Sequence, residues 1–161
     1  MFEEIRIKLN ELTDLFKKLE EQNAIKEKCK RWRGKRDEEY WFISESGEPC
    51  HTMETSNELD RASYKIGNYF RTEKEAEKTL EKIKIYMQLK DLALRLNKGE
   101  KIDWDNIAQA KWYIYYNHNK ALTTINAHIY QNLGQIYCLD KNFLEIAKQE
   151  IGEENLKKLF E

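Results

Sequence analysis

The first 23 residues carry the most regular alternation of apolar and polar positions in the chain. Apolar residues return at gaps of three and four over three heptads, and the positions between them are mostly charged or amide residues. This register is typical of a helix that pairs with another helix, because its apolar seam is narrower than the stripe of a core-facing helix. The register positions are Phe2, Ile5, Leu9, Leu12, Phe16, Leu19 and Asn23.

The register ends on a polar residue, Asn23, at an a position. An asparagine there fixes the register and the strand number of parallel two-stranded coils, although it also suits a fraying helix end. We predict that these positions join two chains into a homodimer. The open alternative is that the helix folds back on its own domain, because three heptads are marginal for a coil without further contacts.

Beyond residue 37 the pattern changes to short runs of strand-forming residues separated by turn signals. Residues 39–45 and 50–53 predict two strands around a turn that holds the only proline, and residues 64–70 predict a third. Thr72 then offers an N-cap, with a glutamate three residues on, to a helix that Gly99 terminates.

The same order of signals returns in the last third of the chain. Residues 111–116, 122–130 and 134–137 predict strands, and a short helix follows from Phe143. We interpret the recurrence as a loosely duplicated unit of three strands and one helix.

The fold class that this organisation predicts is α+β. Residues 1–36 form an N-terminal coiled-coil-like helix and a basic joint, and residues 37–161 form an α+β domain. Residues 37–99 and 100–161 are its two βββα units, which build an antiparallel sheet with helices packed on it.

Charge is distributed unevenly between these parts. Residues 1–36 hold 11 bases and 7 acids, whereas the remaining 125 residues hold 17 bases and 22 acids. Seven of the eleven residues from 26 to 36, the basic joint, are lysine or arginine. Such a run contacts phosphates or an acidic protein surface, or it is a solvated helix end with its tryptophan in the core. The residues predicted to bind a partner are Lys26, Lys28, Lys30, Arg31, Trp32, Arg33, Lys35 and Arg36.

A second candidate surface lies on the tyrosine-rich strand at residues 111–116. Alternation sends Trp112, Ile114 and Tyr116 to one face, and Tyr113 and Tyr115 to the other. One aromatic face suits the core, and the other is either covered or binds a partner. We therefore add Tyr113 and Tyr115 to the predicted partner-binding residues.

The sequence contains no pattern that indicates catalysis. Nucleotide-binding and nucleophile motifs are absent, and the three cysteines and three histidines lack the spacing of a zinc site. We expect no enzyme activity, no cofactor and no metal. No apolar run approaches the length of a membrane span, and the odd, scattered cysteines favour a reducing cytoplasm.

Four segments carry a resemblance to known proteins: YWFISESGE, YKIGNYFRTEKEAEKTLEKIK, KWYIYYNH and IGEENLKKLF. The chain resembles a diffuse group of small proteins encoded by phages and prophages of Firmicutes, with a charged coiled coil before two strand-rich units. The resemblance covers most of residues 38–161, and its motifs are structural, so it transfers no catalytic residue. Lys74 stands where the motif has a second acid, and the second unit lacks the helix-start motif at Asp140–Phe143.

The resemblance implies an accessory gene of a mobile element. Products of such genes often act by stoichiometric binding, including inhibition of bacterial immune systems such as CRISPR. We therefore expect a non-catalytic counter-defence inhibitor in the host cytoplasm that docks on a host protein or a ribonucleoprotein complex. The alternatives are a nucleic-acid-binding regulatory module and a protein that sequesters a nucleotide signal.

Overall fold

The computed structural model describes residues 2–28, 31–117, 119, 121–127 and 131–161. Within these residues the chain is an α+β fold with five helices and two antiparallel hairpins, which confirms the predicted class. The elements in chain order are α1 (Phe2–Lys28), β1 (Glu39–Ile43), β2 (Pro49–Met53), α2 (Glu58–Ile66), α3 (Glu73–Leu96), β3 (Trp112–Tyr116), β4 (Leu122–Asn126), α4 (Phe143–Glu150) and α5 (Glu153–Lys158).

The strands form two separate two-stranded sheets where the sequence pattern predicted one sheet. β1 pairs with β2, and β3 pairs with β4, in antiparallel register. β1, β2 and β3 lie close to the predicted strands at 39–45, 50–53 and 111–116. β4 covers the first five residues of the predicted strand at 122–130, and residues 128–130 lie outside the described residues.

The prediction of a strand over residues 64–70 is wrong, because α2 continues to Ile66. This helix begins with a capping box, in which Asn57 and Asp60 each accept a hydrogen bond from the other's backbone N–H. It ends at Gly67, whose φ of 90° lies in the left-handed region that glycine favours. The local caps therefore override the strand propensity of the tyrosine and isoleucine between them.

A single bridging residue takes the place of the third strand in each unit. Phe70 exchanges two backbone hydrogen bonds of 2.8 and 2.9 Å with Trp41. Cys138 exchanges two of 2.7 and 2.8 Å with Trp112. The predicted strand at 134–137 is likewise absent from the described residues, where each predicted unit has two strands, one bridging residue and two helices.

The aliphatic core lies between the second hairpin and the last three helices. α4 packs on β3 and β4, and α3 packs on both α4 and α5. The buried residues of the aliphatic core are Ile85, Leu89, Leu92, Ala93, Ile114, Leu122, Cys138, Phe143, Leu144, Ala147, Ile151 and Leu156. The long helix α3 also contacts β1 and β2, so it links both hairpins.

The first hairpin buries aromatic and charged groups instead. The rings of Tyr40 and Tyr69 stack with centroids 3.9 Å apart, and neither ring is in the aliphatic core. Glu54 and Asp60 beside them are 1% and 3% exposed. Their partners, described next, position the basic joint. In the described part of the chain no helix has both the length and the apolar content of a membrane span.

Candidate functional site

The basic joint is fixed to the first hairpin through one ion pair. The Arg33 guanidinium donates two hydrogen bonds of 3.1 Å to the two carboxylate oxygens of Glu54. Glu54 is buried directly after β2, where an unpaired carboxylate is strongly unfavourable. The fold of the first unit therefore recruits one arginine of the joint as an internal partner.

The Glu54 carboxylate is also the centre of a hydrogen-bond network. Tyr69 donates its hydroxyl proton to Glu54 Oε2 at 2.8 Å, and the Ser56 N–H donates to Oε1 at 2.7 Å. Burial acts to raise the pKa of Glu54, but the bonds from Arg33, Tyr69 and Ser56 outweigh it and hold that pKa below its ordinary value. The carboxylate is thus charged at neutral pH and keeps Arg33 in place.

The Tyr69 hydroxyl links this network back to the joint. It accepts a hydrogen bond of 3.1 Å from the Gly34 N–H, and the Gly34 backbone approaches it closely. Burial and the hydrogen bond to Glu54 raise the pKa of Tyr69, so the phenol stays protonated. The joint therefore has a backbone anchor as well as the ion pair.

A second buried carboxylate, Asp60, supports the same region from α2. It accepts hydrogen bonds from the Tyr40 hydroxyl at 2.9 Å, from the Thr55 N–H at 2.8 Å and from the Thr55 hydroxyl at 2.9 Å. Burial and the bond to Asp60 raise the pKa of Tyr40 to about 12. Burial acts to raise the pKa of Asp60 too, but these donors hold it below its usual value.

Arg31 is held against α2 by stacking. Its guanidinium carbon lies 4.2 Å from the centroid of the Tyr64 ring, and its carbonyl accepts the Tyr64 hydroxyl at 2.8 Å. One guanidinium nitrogen lies 3.4 Å from the point that a Cβ on Gly67 would occupy. Stacking leaves the in-plane N–H donors of the guanidinium available to a ligand.

Trp32 lies beside the start of α3. Its ring centroid is 5.7 Å from that of Tyr69, and the Arg71 guanidinium carbon is 5.8 Å from the Trp32 centroid. Trp32 is half-buried, so it packs on the hairpin and still presents part of its surface.

These residues border a surface groove of about 400 Å³, which we call the joint groove. Four cationic side chains and one carboxylate line it, which gives a net charge of +3. The carboxylate, Glu75, accepts the Arg71 N–H at 2.9 Å and so holds the backbone just before α3. The lining residues are Arg31, Trp32, Gly67, Tyr69, Phe70, Arg71, Glu75, Lys78, Thr79 and Lys82.

The other predicted residues of the joint lie apart from this groove or outside the described structure. Lys35 and Arg36 are exposed, and the Lys35 N–H donates to Glu38 at 2.7 Å. Lys30 and the side chains of Lys26 and Lys28 lie outside the described residues. Their part in partner binding stays a prediction.

The apolar seam of α1 is exposed within the single chain. Leu9 and Phe16 are 64% and 62% exposed, and Leu12 and Leu19 are also more than half exposed. Asn23 is exposed as well, while the side chains of Phe2 and Ile5 lie outside the described residues. In the described part of the chain, the seam therefore does not pack against the body of the protein.

The predicted tyrosine face of β3 is half-buried in an aromatic cluster. The Tyr113 centroid lies 6.3 Å from that of Tyr115 and 5.4 Å from that of Tyr137. Trp104 packs edge-on against Tyr137 with centroids 4.9 Å apart. On the opposite face Ile114 is buried in the aliphatic core, as the alternation predicts. Partner binding by Tyr113 and Tyr115 stays a prediction.

Among the described histidines and cysteines, His51 already has a carboxylate partner. His51 is engaged by Glu39, with Nδ1 and the carboxylate oxygen 2.6 Å apart. Across the described ranges, no group of three or more histidine, cysteine, aspartate and glutamate side chains is placed to hold a metal ion.

Of the ten residues that line the joint groove, sequence reasoning found only Arg31 and Trp32. Three of the four cations were missed: Arg71 lies just before α3, and Lys78 and Lys82 lie in its first half, distant from the joint in sequence. A usable signal was present, because Lys74, Lys78 and Lys82 recur at spacings of four on one helix face.

Comparison with known proteins found no relative of this chain. No family model matches the chain, and no curated protein or solved structure matches it at a significant level of similarity.

Proposed function

We propose that the chain is a non-catalytic binding protein that acts as a homodimer and blocks its target stoichiometrically. The observation that carries this proposal is the exposed leucine and phenylalanine seam of α1, in a chain that also presents a cationic groove at the basic joint. The seam supplies an assembly surface, and the joint supplies a contact surface of fixed geometry.

Exposure of the seam supports dimer formation. Isolated helices derive little stability from their own hydrogen bonds, and a 27-residue helix with an unburied apolar seam gains most by packing against a second copy. Leu9, Leu12, Phe16 and Leu19 then become buried between the two helices.

The register favours a parallel pair. In that arrangement Asn23 meets its equivalent across the axis, so the two side-chain amides hydrogen-bond to each other. The flanking g and e positions then pair Lys8 with Thr13 and Leu15 with Glu20, so no like charges face each other in these two pairs. A parallel dimer also places both basic joints at the same end of the coil.

The target that we propose is a host protein or a ribonucleoprotein complex of a bacterial defence system. The support is the resemblance to phage accessory proteins, together with a cationic surface that complements nucleic-acid-bound or acidic partners. This is a counter-defence role in which the chain binds and does not turn over a substrate.

Light scattering tests the dimer with a matched pair of substitutions. Leu12→Glu places a charge in the seam, whereas Asn10→Glu adds the same charge at a position outside it. We expect a molar mass of twice 19.4 kDa for the wild type and for Asn10→Glu, and of 19.4 kDa for Leu12→Glu. Equal masses for all three proteins would show that the seam does not assemble chains.

Affinity capture from host lysate, with and without nuclease, tests the target. We expect the wild type to retain a defence protein. A variant with three charge reversals and one aromatic truncation should lose it: Arg31→Glu, Lys35→Glu, Arg36→Glu and Trp32→Ala. A plaque assay then measures relief of that defence system in cells that express the chain. Full activity of every defence system in such a panel contradicts the counter-defence role.

A further inference from the structure

We propose that the joint groove binds a nucleotide unit, with the phosphate on Arg31, Arg71 and Lys78 and the base stacked on Trp32. The inference rests on the proposed function only in taking the chain as a binding protein, and it does not require the dimer. It assigns a ligand-binding role to Arg71 and Lys78, which the sequence pattern left without one.

The cations of the groove are available to a ligand. In the described residues, Arg31, Arg71, Lys78 and Lys82 form no ion pair with a carboxylate of the chain. Elsewhere lysines are neutralised internally, as in Lys157 with Glu154 at 2.7 Å. A groove of net charge +3 with unpaired donors is a phosphate-binding environment, because phosphate oxygens accept several charge-assisted hydrogen bonds at once.

Two of these cations are oriented before any ligand arrives. The Arg31 guanidinium is stacked on the Tyr64 ring, and the Tyr64 hydroxyl holds the Arg31 backbone by a hydrogen bond to its carbonyl. The Arg71 guanidinium lies over the Trp32 ring just before α3. Ordering a free arginine on binding costs conformational entropy, so a fixed guanidinium binds phosphate more tightly than a mobile one.

The aromatic wall favours a nucleotide over an acidic peptide. Trp32 borders the groove beside the cations, and stacking on an aromatic side chain strengthens the binding of a base without sequence preference. A carboxylate side chain uses the charge of the groove but gains nothing comparable from the indole. The volume of about 400 Å³ is that of a small-molecule site.

A row of lysines leads from the groove along α3. Lys74, Lys78 and Lys82 lie four residues apart on one face, at a rise of about 6 Å per step, and Lys74 is exposed. The same chemistry thus serves a free nucleotide in the groove or a single strand that extends along the helix.

The test is a set of binding titrations on the full chain in 50 mM NaCl. The probes are ATP, inorganic triphosphate, a fluorescein-labelled 12-nucleotide oligo-dT strand and poly-glutamate. Arg71→Ala with Lys78→Ala removes two groove cations. Lys90→Ala with Lys141→Ala removes two exposed cations elsewhere and serves as the charge-matched control.

We expect ATP or the oligonucleotide to bind the wild type and the control equally, and the groove variant at least about tenfold more weakly. For the oligonucleotide, the slope of log affinity against log salt should fall by about 1.4 in the groove variant, since about 0.7 is lost per phosphate contact on a single strand. Binding of ATP identifies a free nucleotide, and binding of the oligonucleotide alone identifies a strand.

Trp32→Leu separates stacking from charge. ATP should bind the wild type more tightly than triphosphate does, and the substitution should remove that difference while triphosphate affinity is kept. Retained triphosphate binding also shows that the variant is folded.

The proposal is overturned if neither nucleotide probe binds, if the control loses as much affinity as the groove variant, or if poly-glutamate binds equally well with the same residue dependence. The Leu12→Glu variant distinguishes a failure of the groove proposal from a failure of the dimer proposal. ATP affinity per chain should not change in that variant, so a failed groove and a failed coil give different results.

Discussion

Trp41 of the first hairpin and Trp112 of the second occupy matching backbone positions, each with two hydrogen bonds to a bridging residue. The side chains that pack against the two hairpins differ. The second hairpin lies on a continuous aliphatic core, whereas the first packs around two tyrosines and two buried carboxylates. An aliphatic core needs only volume and shape, but a buried carboxylate needs a donor at a fixed position.

The two hairpins therefore differ in how their surroundings stabilise the fold. The second hairpin shares its aliphatic core with α3, α4 and α5, and this core stabilises the fold in proportion to the apolar area removed from water. The polar interior around the first hairpin requires Arg33 and Gly34 at defined positions.

The largest effect on stability is expected from the aliphatic core. Phe143→Ala removes a fully buried ring at the start of α4, so the free energy of unfolding should fall by about 3–5 kcal/mol. Urea denaturation followed by far-ultraviolet circular dichroism measures the loss. A loss below about 1 kcal/mol would show that the second unit does not hold the fold together.

A smaller loss is expected from the buried ion pair. Glu54→Gln leaves the Arg33 guanidinium without its carboxylate, and we expect a loss of about 2 kcal/mol, since the Arg33 side chain is 35% exposed and water replaces part of the interaction. Limited trypsin digestion should also cut at 31–36 faster in this variant. Glu48→Gln, at an exposed glutamate of the first hairpin turn, is the control and should leave both measurements unchanged.

Acidification should weaken the first unit specifically. The pKa values of Glu54 and Asp60 lie below their ordinary values in the folded chain. Their contribution is therefore complete above the unfolded-state pKa of about 4 and is lost as the pH falls through the folded-state values. The free energy of unfolding should fall below about pH 4, and less steeply in Glu54→Gln than in the wild type. Parallel pH profiles for the two proteins would contradict this assignment.

The smallest effect is expected at the tyrosine that joins the network to the backbone. Tyr69→Phe keeps the stacked ring but removes the hydroxyl between Gly34 and Glu54, so about 1 kcal/mol should be lost. Tyr86→Phe, on an exposed residue of α3, is the matched control. The two variants are compared by thermal unfolding. Equal unfolding midpoints would show that the Tyr69 hydroxyl does not contribute to stability.

The elements with strong local signals were predictable from the sequence. The heptad pattern gave α1, and the Thr72 cap gave the start of α3, where the Thr72 hydroxyl accepts the Glu75 N–H. α2 was missed because its capping pair, Asn57 and Asp60, lies in a polar stretch that resembles a loop. The third strands were overpredicted, since one bridging residue needs no strand-length pattern.

The site was predictable only where charge is concentrated in sequence. The run at 26–36 marks the joint, but nothing local shows that Arg33 binds a carboxylate 21 residues away. Burial of Glu54 is a tertiary property, because it depends on Tyr69 and the joint packing over it. The groove needs α3 beside the joint, which the pattern of each segment alone does not specify.

We propose that the buried carboxylate of the first unit holds the basic joint in the position in which the joint groove binds its ligand. Glu54→Gln tests it most directly, because this substitution leaves every lining residue of the joint groove in place. The measurement is the affinity for the labelled oligonucleotide or for ATP, at a temperature where wild type and variant are both fully folded. The account predicts severalfold weaker binding by Glu54→Gln, and equal affinity of the two proteins would contradict it.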